Sequence, residues 1–389
     1  MKKYFILTAV VLLTLSACSK IEVSNSVPDK AISFQVANYV PQTKANSAFD
    51  TDKTFKTSAW FHPISGDAQS FMDKETVKWQ SASTQWAPDR TYYWPKTGYI
   101  NFFSWAGVPE PAVTEGVAQY GDATASTPEY VTIATTDDAM LANGAYKYSA
   151  AESNTNTYNF EYSGTDVKGV PTLFHHMLAK VTFIVKFDAT SADENNKWDL
   201  TINSAALIYA NQGALDVTFT APSSTGQATW PFSSPAVNWT AKTGANTTLA
   251  VTANIGADKK QTTIGGNVSD GVTLLDEITV LPQDLTATAG TDARFAINYT
   301  LKHYYKDGSD WKEQIYETVN LFDAPTSDPG DYLGSIALTD FTSSGVSAWN
   351  MNYKYIYTVT IKPNKTVTFD PAVVAWEDTV NTGFTYPND

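Results

Sequence analysis

The chain has 389 residues, with 26 Lys and Arg against 40 Asp and Glu, and a formal net charge of −14. That excess of negative charge makes nucleic acid and anionic lipid headgroups poor partners. Charged residues are only 17% while aromatics reach 13%, with 11 Trp and 21 Tyr; this favours a β-rich extracellular protein whose exposed faces carry Thr, Ser, Asn and Tyr.

Met1, Lys2 and Lys3 give a positive start, and Tyr4 to Leu15 is almost wholly apolar before Leu15-Ser16-Ala17-Cys18. This is the pattern of a secretory signal. Its apolar run is about a dozen residues, short of the ~20 that a spanning helix needs. The ending resembles the lipobox of bacterial lipoproteins, which implies a diacylglyceryl group on the Cys18 sulfur, removal of residues 1–17 and acylation of the new amine. Cys18 is the only cysteine, so no disulfide or CxxC metal pair competes for that assignment. Ser19 to Lys30 has no periodicity and reads as a tether, residues 18–30, from the lipid.

A first strand is expected over Ala31 to Val40, where Ile32, Phe34 and Val36 alternate with Ala31, Ser33 and Gln35. Pro41 to Ser47 reads as an exposed loop whose one basic residue, Lys44, invites proteolysis. The next block is the most aromatic: Trp60-Phe61, Trp79, Trp86, Tyr92-Tyr93-Trp94-Pro95 and Tyr99 to Trp105. In it Tyr99, Asn101, Phe103 and Trp105 share one strand face, and Ile100 and Phe102 the other. Both faces are largely apolar, as for a strand inside a packed sandwich. Val108 to Tyr130, rich in Gly, Ala, Pro and Thr, is expected to be a long loop, and Asp137 to Ala142 one or two helical turns.

Val170-Pro171 is expected to be a turn, followed by Phe174 to Phe187, where Val181, Phe183, Val185 and Phe187 line one face. A domain boundary is placed there, giving an N-terminal domain over residues 31–172 and a C-terminal one over 173–389. Beyond it, short strands are expected at Leu200 to Tyr209, Leu215 to Phe219, Leu249 to Ile255, Ile278 to Leu281 and Phe295 to Tyr305, with turn residues between. His303 lies on the apolar stripe of the last. Lys306 to Ser309 reads as a hairpin turn. Tyr353, Tyr355, Tyr357, Val359 and Ile361 alternate with Lys354, Ile356, Thr358 and Thr360, and Val367-Thr368-Phe369 returns beside them. No stretch keeps a helical period through three turns, so the fold is read as all-β.

With these residues in view, the chain resembles the Bacteroidales fimbrillin-like family of type V pilus subunits and accessory lipoproteins. The resemblance rests on Cys18, on Tyr92-Tyr93-Trp94-Pro95 with Phe102-Phe103-Ser104-Trp105, and on His176 with Ala179-Lys180-Val181. Val280-Leu281-Pro282-Gln283, Trp349 to Tyr355, Phe369 and Trp376-Glu377-Asp378 complete it. It implies two tandem transthyretin-like Greek-key β-sandwiches, a lipid anchor in the outer membrane, and assembly with other fimbrillin-like subunits by strand exchange in support of adhesion. On this reading Ile32, Phe34 and Val36 are plug residues of a loosely held strand, and processing cuts between Lys44 and Ala45. No Arg precedes Arg90, and an uncut chain would serve as an anchor or accessory subunit.

The search for chemistry returns no catalytic constellation: GxSxG, Walker, HExxH, Rossmann and calcium-loop patterns are all missing. His175-His176 lacks further ligands at metal-site spacing, and both His176 and His303 read as structural histidines. No cofactor is expected. The rival reading is a surface glycan-binding lipoprotein, with Trp79, Trp86, Trp94 and Trp105, or the tyrosines near Tyr353, as a stacking platform for a sugar ligand.

Overall fold

The computed structural model describes residues 31–38, 47–95, 97–146, 169–188, 194–219, 239–242, 246–251, 261–263, 271–285, 293–320, 336–337, 346–362 and 367–376. Among them the chain is all-β and contains no helix. The first strands are β1 (Phe34–Asn38), β2 (Ser47–Ala48), β3 (Thr54–His62), β4 (Gln69–Gln80), β5 (Gln85–Pro88), β6 (Tyr99–Ala106), β7 (Ala112–Thr114), β8 (Val117–Tyr120), β9 (Val131–Thr132), β10 (Met140–Tyr146) and β11 (Val170–His176). There follow β12 (Ala179–Phe187), β13 (Asn196–Ala210), β14 (Gln212–Thr218), β15 (Thr240–Ala241), β16 (Asn246–Val251), β17 (Gln261–Thr263) and β18 (Val272–Val280). The last are β19 (Gln283–Asp284), β20 (Arg294–Asp307), β21 (Asp310–Asn320), β22 (Ile336–Ala337), β23 (Ala348–Trp349), β24 (Tyr353–Ile361) and β25 (Val367–Ala375).

The first sheet has eight strands in the order β11-β10-β6-β3-β4-β5-β1-β2, and a further β1–β11 pairing closes it on itself. A core of Ile32, Phe34, Phe55, Trp86, Trp94, Ile100, Phe102 and Phe174 fills the enclosed space. The double-faced apolar pattern of β6 is used on both sides: Ile100 and Phe102 enter this core, while Phe103 and Trp105 enter a second one.

The later strands form a sandwich. One sheet runs β18-β12-β24-β25, the other β16-β13-β20-β21. The stripe Val181, Phe183, Val185 and Phe187 meets Phe295, Ile297, Tyr299 and Leu301 between them. Phe183 stacks on Phe295 at 4.3 Å across this core. Gly308, with φ +65, supplies the left-handed residue of the expected hairpin turn between Asp307 and Asp310.

Three sequence expectations are corrected here. Val108 to Tyr130 is not a bare loop, because β7 and β8 form a hairpin within it, and β8 pairs with β14 through Tyr120↔Leu215 to Val117↔Thr218. Asp137 to Ala142 forms no helical turn. Asp137 caps a turn by accepting the Ala134 N–H at 2.7 Å, and Met140 then enters β10 opposite Ala106. Val170-Pro171 opens β11 instead of turning.

The division placed after residue 172 falls inside β11, and sheet membership changes in the Met177-Leu178 turn between β11 and β12. The sheet of β7, β8, β9, β14 and β15 draws strands from both sides of that point. Its core also mixes both sides, with Trp105, Tyr120 and Leu141 packed among Met177, Leu215, Trp239 and Trp376. The Trp239 indole N–H donates to the Met177 carbonyl at 2.7 Å, fastening the turn to that core.

Candidate functional site

The site is the slot occupied by β1. Alternation sends Ile32 and Phe34 inward, where Phe34 retains 1% of its surface exposed and meets Phe55 and Phe102 edge-to-face at 5.5 and 5.6 Å. Val36 is half-buried against the same cluster. After Val36 the alternation slips, so that Ala37 and Asn38 are both buried. The slip falls where β1 passes from one neighbour to the next: Phe34 pairs with Trp86 of β5, whereas Ala37 and Asn38 pair with Ala48 and Ser47 of β2.

On its other edge β1 runs parallel to β11 in unbroken register, from Phe34↔Val170 to Asn38↔Phe174. Gly169 makes this approach feasible. Its φ is +143, and a Cβ there would lie 2.7 Å from the backbone N and C of Phe34. Just before β1, the Ile32 N–H donates to the Tyr92 carbonyl at 2.7 Å, and the Ser33 carbonyl accepts the Val170 N–H at 2.7 Å. At the far end the buried Asn38 amide donates to the Ala48 carbonyl at 3.2 Å.

The Tyr92 hydroxyl donates to Glu75 Oε1 at 2.5 Å. Burial first, and the Glu75 carboxylate second, push its pKa up to about 12, so the phenol stays a neutral donor. Seating here depends on backbone pairing and apolar burial. Burying a Phe or Ile side chain stabilises by about 1.5–3 kcal/mol.

Of the residues expected from sequence to form the site, Ile32, Phe34 and Val36 lie together in this slot, while Cys18, Lys44 and Ala45 fall outside the described residues. β1 is paired with β11 over its whole length, and on its other edge with β5 at Phe34 and with β2 at Ala37 and Asn38. The sequence reading missed Gly169, although a glycine at a strand is one of the marks of close backbone approach. It also missed Ala37 and Asn38, which carry no signal once alternation fails.

The aromatic platform dissolves into the core. Trp86, Trp94 and Trp105 are buried, Trp79 packs edge-to-face on Trp86 at 5.8 Å, and Tyr355 and Tyr357 are buried. His303 stacks on Trp198 at 4.3 Å with Nε2 2.9 Å from Asn196 Oδ1. His176, by contrast, has a neighbour that sequence spacing did not suggest: its Nδ1 lies 2.6 Å from Asp138 Oδ1. Among the described residues no three His, Cys, Asp or Glu side chains gather as a metal site.

No family model matches the chain, and no curated protein matches it. Solved structures do. A candidate cell adhesion protein from Bacteroides uniformis is 16% identical, over 90% of this chain and 98% of that one, with a TM-score of 0.40. The tip fimbrial protein Mfa3 of Porphyromonas gingivalis, in C-terminally truncated form, is 12% identical over 89% and 100% of the two chains, with a TM-score of 0.33. The fimbrial anchor protein Mfa2 of the same organism is 10% identical over 90% and 99%, with a TM-score of 0.27. At such values the functional reading rests on this chain's own residues.

Proposed function

We propose that this protein is a non-enzymatic, lipid-anchored fimbrial subunit or anchor at the cell surface that joins its neighbours by exchange of β1 and supports adhesion. One observation carries the reading: a short strand, first in order among the described elements, closes a ring between β11 on one edge and β5 and β2 on the other. Taking it away would bare two strand edges and the pockets of Ile32 and Phe34, a surface that demands an extended segment of similar pattern. Because β1 is paired along its whole length with β11 and buries Ile32 and Phe34, spontaneous departure is disfavoured. Exchange is therefore read as replacement, with an incoming strand forming pairs as the resident one gives them up after a cut between Lys44 and Ala45. The lipobox-like ending at Cys18 supports an outer-membrane anchor.

The test is to cut the mature chain with a Lys-specific protease and follow it by mass spectrometry and size-exclusion chromatography. Release of a fragment ending at Lys44, with the remainder folded and passing into larger species, is the expected result. A cut chain that keeps residues 31–44 bound and stays monomeric would overturn the reading.

A further inference from the structure

The two ends of β11 serve two different structures. Among the described residues, Val170 to Phe174 find their strand partner in β1, while β10 meets β11 at His175↔Leu141 and His176↔Met140. At the far end the buried His176 ring stacks on Trp376 at 4.1 Å, with planes 9° apart. Its Nδ1 faces Asp138 Oδ1, and its backbone N–H donates to Asn352 Oδ1 at 3.4 Å. Trp376 directly follows β25. Its backbone N–H donates to the Asn352 carbonyl at 3.3 Å, and the Lys180 ammonium lies 4.4 Å from its ring centre. Asn352 in turn donates its N–H to the Leu178 carbonyl at 2.9 Å.

We infer that β11 couples the β1 slot to this Trp376 latch, so that β1 in place holds the carboxyl end of β25 fastened and loss of β1 frees it. Without β1, the backbone of Val170 to Phe174 faces an open edge, and Phe174 loses its pairing with Asn38. A strand so bared shifts readily, and a ring stack at 4.1 Å fails on small displacement. On the reading that β1 is exchanged, which the consequence rests on, a chain that still holds its own β1 keeps the end of β25 closed to partners. Opening of the slot and release of that end then occur in one molecule together.

Coupling of this kind is reciprocal, which supplies the test. Hydrogen exchange of the full mature chain, read peptide by peptide, should show β1 amides exchanging roughly 5- to 100-fold faster in Trp376→Ala than in the native protein. The strands β20 and β21 should keep their protection. Val373→Ser, on the exposed part of β25, should leave β1 unchanged. Unaltered β1 exchange in Trp376→Ala, or an equal rise throughout the molecule, overturns the coupling. Should Trp376→Ala fail to fold, Asp138→Asn, which keeps the ring stack and weakens only the hydrogen bond, gives the same comparison at smaller amplitude. Failure of this coupling is separable from failure of strand exchange: the first is read from Trp376→Ala in uncut protein, the second from retention of residues 31–44 after cutting.

Discussion

Gly169 lies so close to Phe34 that a Cβ added to it would come within 2.7 Å of both the N and the C atom of the Phe34 backbone. Those atoms belong to a paired strand and cannot turn aside as a flexible side chain would. The φ of +143 adds its own penalty for any L side chain. Gly169→Ala is therefore expected to destabilise the fold by about 2–4 kcal/mol, with the loss concentrated at β1. Urea denaturation measures the first quantity, and protease sensitivity of residues 31–38 the second. Native-like resistance of that segment in the variant would contradict the proposed close approach.

Phe34 and Val36 differ in how much of the slot they fill. Phe34 is enclosed by Phe55 and Phe102, and truncation to Ala is expected to cost about 3–5 kcal/mol. Val36 is half-buried, and Val36→Ala should cost about 1 kcal/mol or less. Chemical denaturation of the two variants side by side checks the order. Equal costs would mean that Phe34 is not the principal plug.

How far this was readable from sequence varied with how local the signal is. The stripes Val181 to Phe187 and Tyr353 to Ile361 announce themselves because each strand's own alternation records which face is buried. β7 and β8 gave no such signal. They are short, they sit among Gly, Ala and Pro, and their stabilising partner β14 lies on the far side of the expected domain boundary. Asp137 to Ala142 has a helix-tolerant composition, overridden from Met140 onward by pairing with β6. In the slot, Ile32 and Phe34 were legible and Ala37 and Asn38 were not, because the change of partner from β5 to β2 shifts the register in mid-strand.

His175 makes stability depend on pH. Burial first, and the neighbouring His176 second, hold its pKa well below the ordinary 6.5. Between that depressed value and 6.5 the unfolded chain binds the extra proton, so stability rises with pH across this window. The contribution is complete above 6.5 and is lost as the pH falls below it. Glu277 acts in a lower window. The hydrogen bond from Lys354 holds its carboxyl below 4.5 against a smaller opposing effect of burial, so its contribution is present above 4.5 and lost as the pH falls further. Melting temperatures should accordingly drop between neutral pH and about pH 5, and His175→Gln should flatten that limb by up to about 1.4 kcal/mol per pH unit. An unchanged slope in the variant would assign the acid sensitivity elsewhere.

Cys18 is the one sulfur available for thioether-linked lipid. Cys18→Ala is expected to abolish incorporation of a clickable fatty acid in cells and to move the protein out of the membrane fraction. Continued labelling of the variant would remove the anchor from the proposal.

Trp239 tests whether the two sides of the chain behave as one body. Its indole N–H reaches the Met177 carbonyl, its ring lies 5.3 Å from that of Tyr120, and both aromatics sit in the core that Trp105, Leu215 and Trp376 share. Deleting the side chain empties a site lined from both sides of the β11–β12 turn. Trp239→Ala is expected to cost about 3–5 kcal/mol. Because the core is shared, that loss should appear as a single cooperative transition at lower denaturant, seen alike by near-ultraviolet circular dichroism and by tryptophan fluorescence. Trp239→Phe, which keeps most of the packing and loses the hydrogen bond, should cost about 1–2 kcal/mol. Two separated transitions in the native protein, with only one shifted by Trp239→Ala, would mean that the mixed sheet of β7, β8, β9, β14 and β15 does not bind the halves into one folding unit.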